Sequence, residues 1–198
     1  MALGLQLHGF VPRSRANGPG IRAVVWTQGC TLGCPGCFNP GSHPAKGLEG
    51  EVATDELAAR ILALRPDIEG VTISGGEPLQ QWDAVVDLLA RVRSTSDLSV
   101  VLLTGYTLPE IRRRSGSEIL LRLIDVLIAG RYVARLHLAR GLRGSSNKKT
   151  HLLTARYTVE DLEQVPDAEL IVGPDGTLTA TGVDPLMLAS GEAHGRWL

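Results

Sequence analysis

Three cysteines, Cys30, Cys34 and Cys37, are the residues of this chain best suited to chemistry, and they are its only cysteines. They fall within one short stretch, Cys30-Thr31-Leu32-Gly33-Cys34-Pro35-Gly36-Cys37. Three thiolates so close in sequence can converge on one soft metal centre. Unreactive core cysteines would scatter along strands, and a disulfide would leave one thiol over after bridging a very short loop. Two metal chemistries stay open on the cysteines alone. One is a Cys₃His zinc site, with His43 as the fourth ligand. The other is a [4Fe–4S] cluster, which three thiolates would hold with one iron open to a ligand that is not protein.

The elements that must position this loop alternate between strand and helix. Residues 21–27 (IRAVVWT) read as a strand running straight into the cysteines. Thr54 and Asp55 suit the start of a helix over 56–64, with Leu57, Ile61 and Leu64 on one face and Pro66 beyond its end. Residues 70–74 read as a second strand, 82–92 as a helix with Val85, Leu88, Leu89 and Val92 aligned, and 99–103 as a third strand. A helix opening at Pro109, a stretch at 117–122 that continues or restarts it, and a strand at 124–129 follow. This βα alternation predicts an α/β fold with a parallel sheet and right-handed crossovers. In such folds ligands bind beyond the carboxyl ends of the strands. The unusual stretches fall there four times: residues 29–37, Gly75-Gly76-Glu77-Pro78, Thr104-Gly105-Tyr106, and Gly130-Arg131. One shared site on one rim is the expectation. Gly75 and Gly76 would let a ligand approach the backbone closely, and Glu77 would present an acceptor.

After about residue 153 the character changes. A short helix at 158–162 precedes two strands, 168–172 and 177–181, flanking the turn Gly173-Pro174-Asp175-Gly176. The chain is therefore expected to divide into a first domain, 1–153, that carries the cysteines and the rim, and a C-terminal extension, 154–198, containing a β-hairpin.

The 198 residues suffice for one domain with a sizeable core. Formal net charge is −1, so bulk charge gives no reason to expect nucleic acid or a membrane surface as partner. Aromatic residues are 4%, too few for base-stacking platforms. The longest apolar runs are far too short to span a bilayer, and the N-terminus lacks signal-peptide character. Cytoplasmic localisation is expected, in the reducing setting such thiols need. Residues 126–159 carry seven basic and no acidic side chains, whereas 160–198 carry eight acidic ones against Arg196. These segments read either as mutually neutralising solvated faces or as a basic rim for an anionic ligand or acidic partner. The five histidines form no ligand spacing with one another, and Trp26 and Trp82 read as packing residues.

Cys30-x₃-Cys34-x₂-Cys37 followed by Phe38 resembles the cluster motif of the radical S-adenosylmethionine superfamily. Gly75-Gly76-Glu77-Pro78 resembles that superfamily's second motif, which contacts the methionine amine. Asn17-Gly18-Pro19-Gly20-Ile21-Arg22 is similar to an element of glycyl-radical activating enzymes. The order of Thr104-Gly105-Tyr106, residues 125–130 and Arg143-Gly144-Ser145-Ser146-Asn147 resembles the anaerobic ribonucleotide reductase-activating family. The chain departs from that family at Lys148, where glutamine is usual, and at Ala129, where an acid or amide is common.

The resemblance implies an open partial (β/α) barrel holding a [4Fe–4S] cluster on Cys30, Cys34 and Cys37. S-adenosylmethionine would be bound by Phe38, Gly75, Gly76, Glu77, Pro78, Thr104, Arg143, Ser145 and Asn147. Reductive cleavage of that cofactor would yield a 5′-deoxyadenosyl radical for hydrogen abstraction, with no catalytic residue beyond cluster and cofactor. The implied partners are a flavodoxin-type electron donor and a glycyl-radical protein. Two other functions are weighed beside the activase: a radical enzyme acting on a peptide or small metabolite, and a non-catalytic iron–sulfur or zinc module. The last leaves Gly75 to Pro78 and the shared rim unexplained.

Overall fold

A computed structural model describes residues 2–37, 39–46, 50–183 and 195–197. Its elements run β1 (Gly4–Ser14), β2 (Arg22–Thr27), β3 (Glu51–Ala53), α1 (Thr54–Leu62), β4 (Gly70–Gly75), α2 (Trp82–Thr95), β5 (Ser99–Thr104), α3 (Leu108–Arg112), α4 (Ser117–Leu123) and β6 (Val126–Ala129). They continue with β7 (His137–Arg140), β8 (Arg143–Ser145), β9 (Lys149–Leu152), α5 (Val159–Glu163), β10 (Ala168–Val172), β11 (Leu178–Gly182) and β12 (Gly195–Trp197).

Seven strands form one sheet in the order β3-β1-β2-β4-β5-β6-β9. The pairs β2–β4, β4–β5 and β5–β6 are parallel. Every residue of β2 is buried, as is every residue of β6, which is why residues 23–26 and 126–129 read as unbroken apolar runs. The purely parallel expectation is corrected at both edges. β1 pairs antiparallel with β2 and β3, and β9 pairs antiparallel with β6. β1 escaped the reading of elements, although its burial alternates along most of its length as a one-sided strand should.

Alternate side chains divide the core into two layers. Val25, Val71, Ile73, Val100, Leu102 and Leu127 meet Leu57 and Ile61 of α1, Val85, Leu88 and Leu89 of α2, and Leu120 of α4. Burying each such side chain contributes about 1.5–3 kcal/mol. The opposite face meets the C-terminal part of the chain. Val101, Val126 and Ile128 pack with Leu142, Leu162 and Val165, while Val11, Val24 and Trp26 pack against Ile171. The short helix foreseen near 158–162 is present as α5, with Thr158 and Asp161 closing a reciprocal cap. β10 and β11 pair antiparallel, and Gly173 donates to the Thr177 carbonyl at 2.8 Å across their turn.

Arg22 ties the amino ends of the parallel strands together. It is fully buried, and Nε donates to Thr72 Oγ1 at 2.8 Å. Nη1 donates to Ser99 Oγ at 2.8 Å and Pro19 O at 3.1 Å; Nη2 donates to Val71 O at 2.9 Å and Ser99 O at 3.0 Å. Tyr157, from beyond β9, adds its hydroxyl to the cluster at 3.3 Å from Nη1. The arginine of the 17–22 element is thus a structural knot in this chain.

Candidate functional site

Four loops leave the carboxyl ends of β2, β4, β5 and β6 and meet along one rim. Gly76 N donates to Thr27 O at 2.8 Å and Glu77 N to Gly29 O at 2.9 Å, stitching the Gly75–Pro78 turn to the start of the cysteine loop. Gly130 N donates to Tyr106 O at 2.9 Å, linking the third and fourth loops. These ties explain the two glycines. A Cβ on Gly75 would lie 2.3 Å from Thr27 N, and one on Gly76 would lie 2.4 Å from Gly29 O. The protein's own backbone therefore demands glycine at both positions, on the side where a Cβ would sit.

Between the loops lies a cavity of about 130 Å³. Cys30, Cys34 and Cys37 line it together with Gly75, Gly76, Glu77 and Thr104. His43, Trp26, Tyr132 and Lys148 also contribute, and so do Gly182 and Val183 from the end of β11. All three thiols are free and part-buried. Burial pushes the Cys30 and Cys37 thiols up, while the Leu32 and Asn39 backbone N–H groups, donating to those sulfurs, oppose the shift. Such N–H donors stabilise the thiolate form that a metal requires. Among the described residues no three His, Cys, Asp or Glu side chains converge tightly enough to enclose a single ion.

Glu77 is fully buried. Its carboxylate accepts from Thr104 Oγ1 at 2.6 Å, Gly105 N at 2.7 Å and Leu79 N at 2.9 Å. Burial raises its pKa, and these three donors work against that rise. The side chain therefore locks the second rim loop to the third. Thr104, expected near the cofactor, both lines the cavity and holds Glu77.

The other expected cofactor contacts are dispersed. Arg143 donates to Glu163 Oε1 at 3.1 Å, and Arg140 meets Glu163 Oε2 at 2.6 Å, so the basic and acidic segments partly neutralise each other here. Ser145 is buried, with Oγ accepting from Val133 N at 3.2 Å. Asn147 Nδ2 donates to Arg131 O at 2.9 Å, while its Oδ1 is a buried acceptor without a partner. None of these three side chains lines the cavity; Gly144 and Lys148 from the same stretch do. Pro78 is buried at the start of a single 3₁₀ turn. Phe38 lies outside the described residues.

A tier of glutamines that sequence reasoning passed over supports the cysteine loop. Gln80 exchanges bonds with Thr31, Oε1 accepting from Thr31 N at 3.1 Å and Nε2 donating to Thr31 Oγ1 at 2.8 Å. Gln28 Nε2 donates to Pro44 O at 2.7 Å, and Gln81 Nε2 donates to Gln28 O at 3.0 Å. The available signal was position: Gln28 directly precedes the cysteine loop, and Gln80 and Gln81 follow Pro78 within three residues.

Fold and rim together define a mixed α/β protein with a three-thiol site at the carboxyl ends of parallel strands. The family model described as a 4Fe-4S single cluster domain matches residues 16–151. An anaerobic ribonucleoside-triphosphate reductase-activating protein of Vibrio cholerae is 33% identical over 159 residues, covering 76% of this chain and 99% of that protein. The protein of the same name from Escherichia coli (strain K12) is 31% identical over 160 residues, covering 75% and 99%. A pyruvate formate-lyase-activating enzyme of Staphylococcus epidermidis is 37% identical over 92 residues, covering 44% of this chain and 37% of that enzyme. The chain belongs to the 4Fe–4S single cluster domain family and, within it, to the family of these reductase-activating proteins. It is a radical S-adenosylmethionine enzyme, with a [4Fe–4S] cluster and S-adenosylmethionine as cofactors.

Proposed function

We propose that this chain generates a glycyl radical on a partner enzyme of the anaerobic ribonucleotide reductase type, with Cys30, Cys34 and Cys37 as the cluster ligands. The observation that carries the reading is the meeting of all three free thiols with the Gly75–Pro78 loop on one cavity. The match to activating proteins over 99% of their length supports the activase assignment. When bound, the cluster and S-adenosylmethionine together supply reductive cleavage and hydrogen-atom abstraction. The chain's own residues hold and shield that chemistry. Leu32 and Asn39 N–H groups stabilise two of the thiolates. Glu77 and Thr104 keep the second and third loops in register, and Trp26, Leu103 and Leu142 exclude water from the inner wall.

On this reading the seven-stranded sheet is an open partial barrel, and its open side receives a segment of the partner. Residues 1–153 form the catalytic unit, and 154–198 form an extension whose β10–β11 pair is the hairpin. A flavodoxin-type donor supplies the electron, and the protein works in the cytoplasm; among the described residues no helix is long and apolar enough to cross a membrane. A small substrate is the second reading, favoured by Gly182 and Val183, which narrow the cavity from the extension.

The test is anaerobic reconstitution with iron and sulfide, then addition of S-adenosylmethionine, reductant and an anaerobic ribonucleotide reductase. The expected result is 5′-deoxyadenosine together with a glycyl-radical signal in electron paramagnetic resonance. Formation of 5′-deoxyadenosine with no radical on any glycyl-radical protein overturns the activase reading in favour of a small substrate.

A further inference from the structure

Lys148 is the one lysine on the wall of the thiol cavity among the described residues. It lies directly before β9, at the carboxyl ends of β5 and β6. Its ammonium donates to the carbonyl of Thr104 at 3.2 Å and to that of Gly130. An ammonium has three donors, so one is left for something else. No carboxylate of the described residues lies within ion-pairing distance of it. Glu77, the acid that contributes most to its surroundings, has both oxygens engaged by Thr104, Gly105 and Leu79. Cys34 and Cys37 also favour the charge on Lys148, but thiolates that hold a cluster share theirs with iron. A part-buried cation whose only hydrogen-bond partners are two neutral carbonyls is costly unless a ligand brings an anionic acceptor to the third donor.

The cofactor offers one match. The adenine and ribose are neutral, and the sulfonium is a cation that Lys148 would repel. The methionine carboxylate alone is anionic. We propose that Lys148 binds the methionine carboxylate of S-adenosylmethionine, the Thr104 and Gly130 carbonyls aiming its third donor into the cavity. This rests on the cofactor assignment and not on the identity of any partner. It also gives Lys148 a role that Arg143 does not fill here, since Arg143 is paired with Glu163 off the cavity wall.

The experiment compares two ligands that differ only in that group, S-adenosylmethionine and its decarboxylated form. Their affinities are measured by equilibrium dialysis on anaerobically reconstituted full-length protein, as wild type, Lys148→Met and Lys148→Gln. Lys148→Met is expected to weaken S-adenosylmethionine about 10- to 100-fold, the range for losing a charge-assisted hydrogen bond. Binding of the decarboxylated ligand should change by less than about 3-fold, because no charged partner is lost. Lys148→Gln keeps a donor for the two carbonyls, serves as the folding control, and should fall between. Equal losses for both ligands, unchanged affinity for S-adenosylmethionine, or loss of iron in both variants would each overturn the proposal. Failure to form a glycyl radical on a partner leaves this ratio untouched, so the two readings fail separately.

Discussion

Arg22 and Lys148 sit at opposite ends of the same parallel strands and are bonded in opposite ways. Arg22, at the amino ends, meets Thr72, Pro19, Val71 and Ser99 through all three of its nitrogens. Lys148, at the carboxyl ends, has two carbonyl partners and faces a cavity. Burial lowers the pKa of both. The completed set of bonds makes the first a fastening of the fold. The incomplete set makes the second a place for a ligand. Buried polar groups are almost always satisfied, so the exception is informative where it lines a cavity.

The largest effect on stability should come from Arg22→Met, which strands the buried oxygens of Thr72, Val71 and Ser99. A loss of about 3–5 kcal/mol is expected in denaturant unfolding. A variant that unfolds like the wild type but no longer binds S-adenosylmethionine would reverse the comparison. Cys34→Ala tests the cavity end in the opposite currency. It should lose the cluster's iron, sulfide and visible absorption while costing the apo-protein less than about 1 kcal/mol, since the side chain is small and part-buried. A fully occupied cluster in that variant would remove Cys34 from the ligand set.

Glu77→Gln lies between the two extremes, because Glu77 is structural in its bonds yet belongs to the rim. Replacing one acceptor oxygen with an NH₂ group sets donor against donor and should destabilise by about 1–3 kcal/mol. Unchanged thermal stability would mean the carboxylate is not the lock its three donors suggest.

The smallest effect belongs to Glu110, just outside the cavity. Its carboxylate caps α3 through Thr107 and pairs with Arg131, and these partners hold its pKa down to about 2. A carboxylate with a depressed folded pKa stabilises fully above its ordinary value near 4.5, and that contribution fades as pH falls toward about 2. Glu110→Gln should therefore cost about 0.5–1 kcal/mol at neutral pH. The gap to wild type should narrow in acid unfolding between those two pH values. A gap independent of pH would show that the cap works without charge.

Much of the site was legible because its signals are local. The cysteine spacing, the apolar runs of β2 and β6, and the glycines closing each strand depend on residues next to one another in the chain. Alternation of strand and helix then forces the loops after β2, β4, β5 and β6 onto one rim, and the sheet order bears this out. Helix limits were readable only to within a few residues. α1 runs Thr54–Leu62 rather than 56–64, with Thr54 inside the helix and no side-chain cap at its start. α2 extends past the expected end because nothing between Val92 and Thr95 breaks it.

Long-range pairing decided the rest. The antiparallel edges depend on which strand β1 and β9 reach, and no neighbouring residue encodes that. The glycines at 75 and 76 have a second cause that their neighbours in sequence do not reveal: Thr27 and Gly29 close on the side where a Cβ would sit. Arg143, Ser145 and Asn147 share a stretch with Lys148, yet only Lys148 among the four lines the cavity. The reason is physical: Glu163 from α5 draws Arg143 away, Ser145 accepts from Val133 N, and Asn147 donates to Arg131 O. By itself the sequence determined that three thiols and a glycine-rich turn would share one rim. Only the tertiary structure decided which cation faces them, because a buried charge goes where distant carbonyls and carboxylates allow.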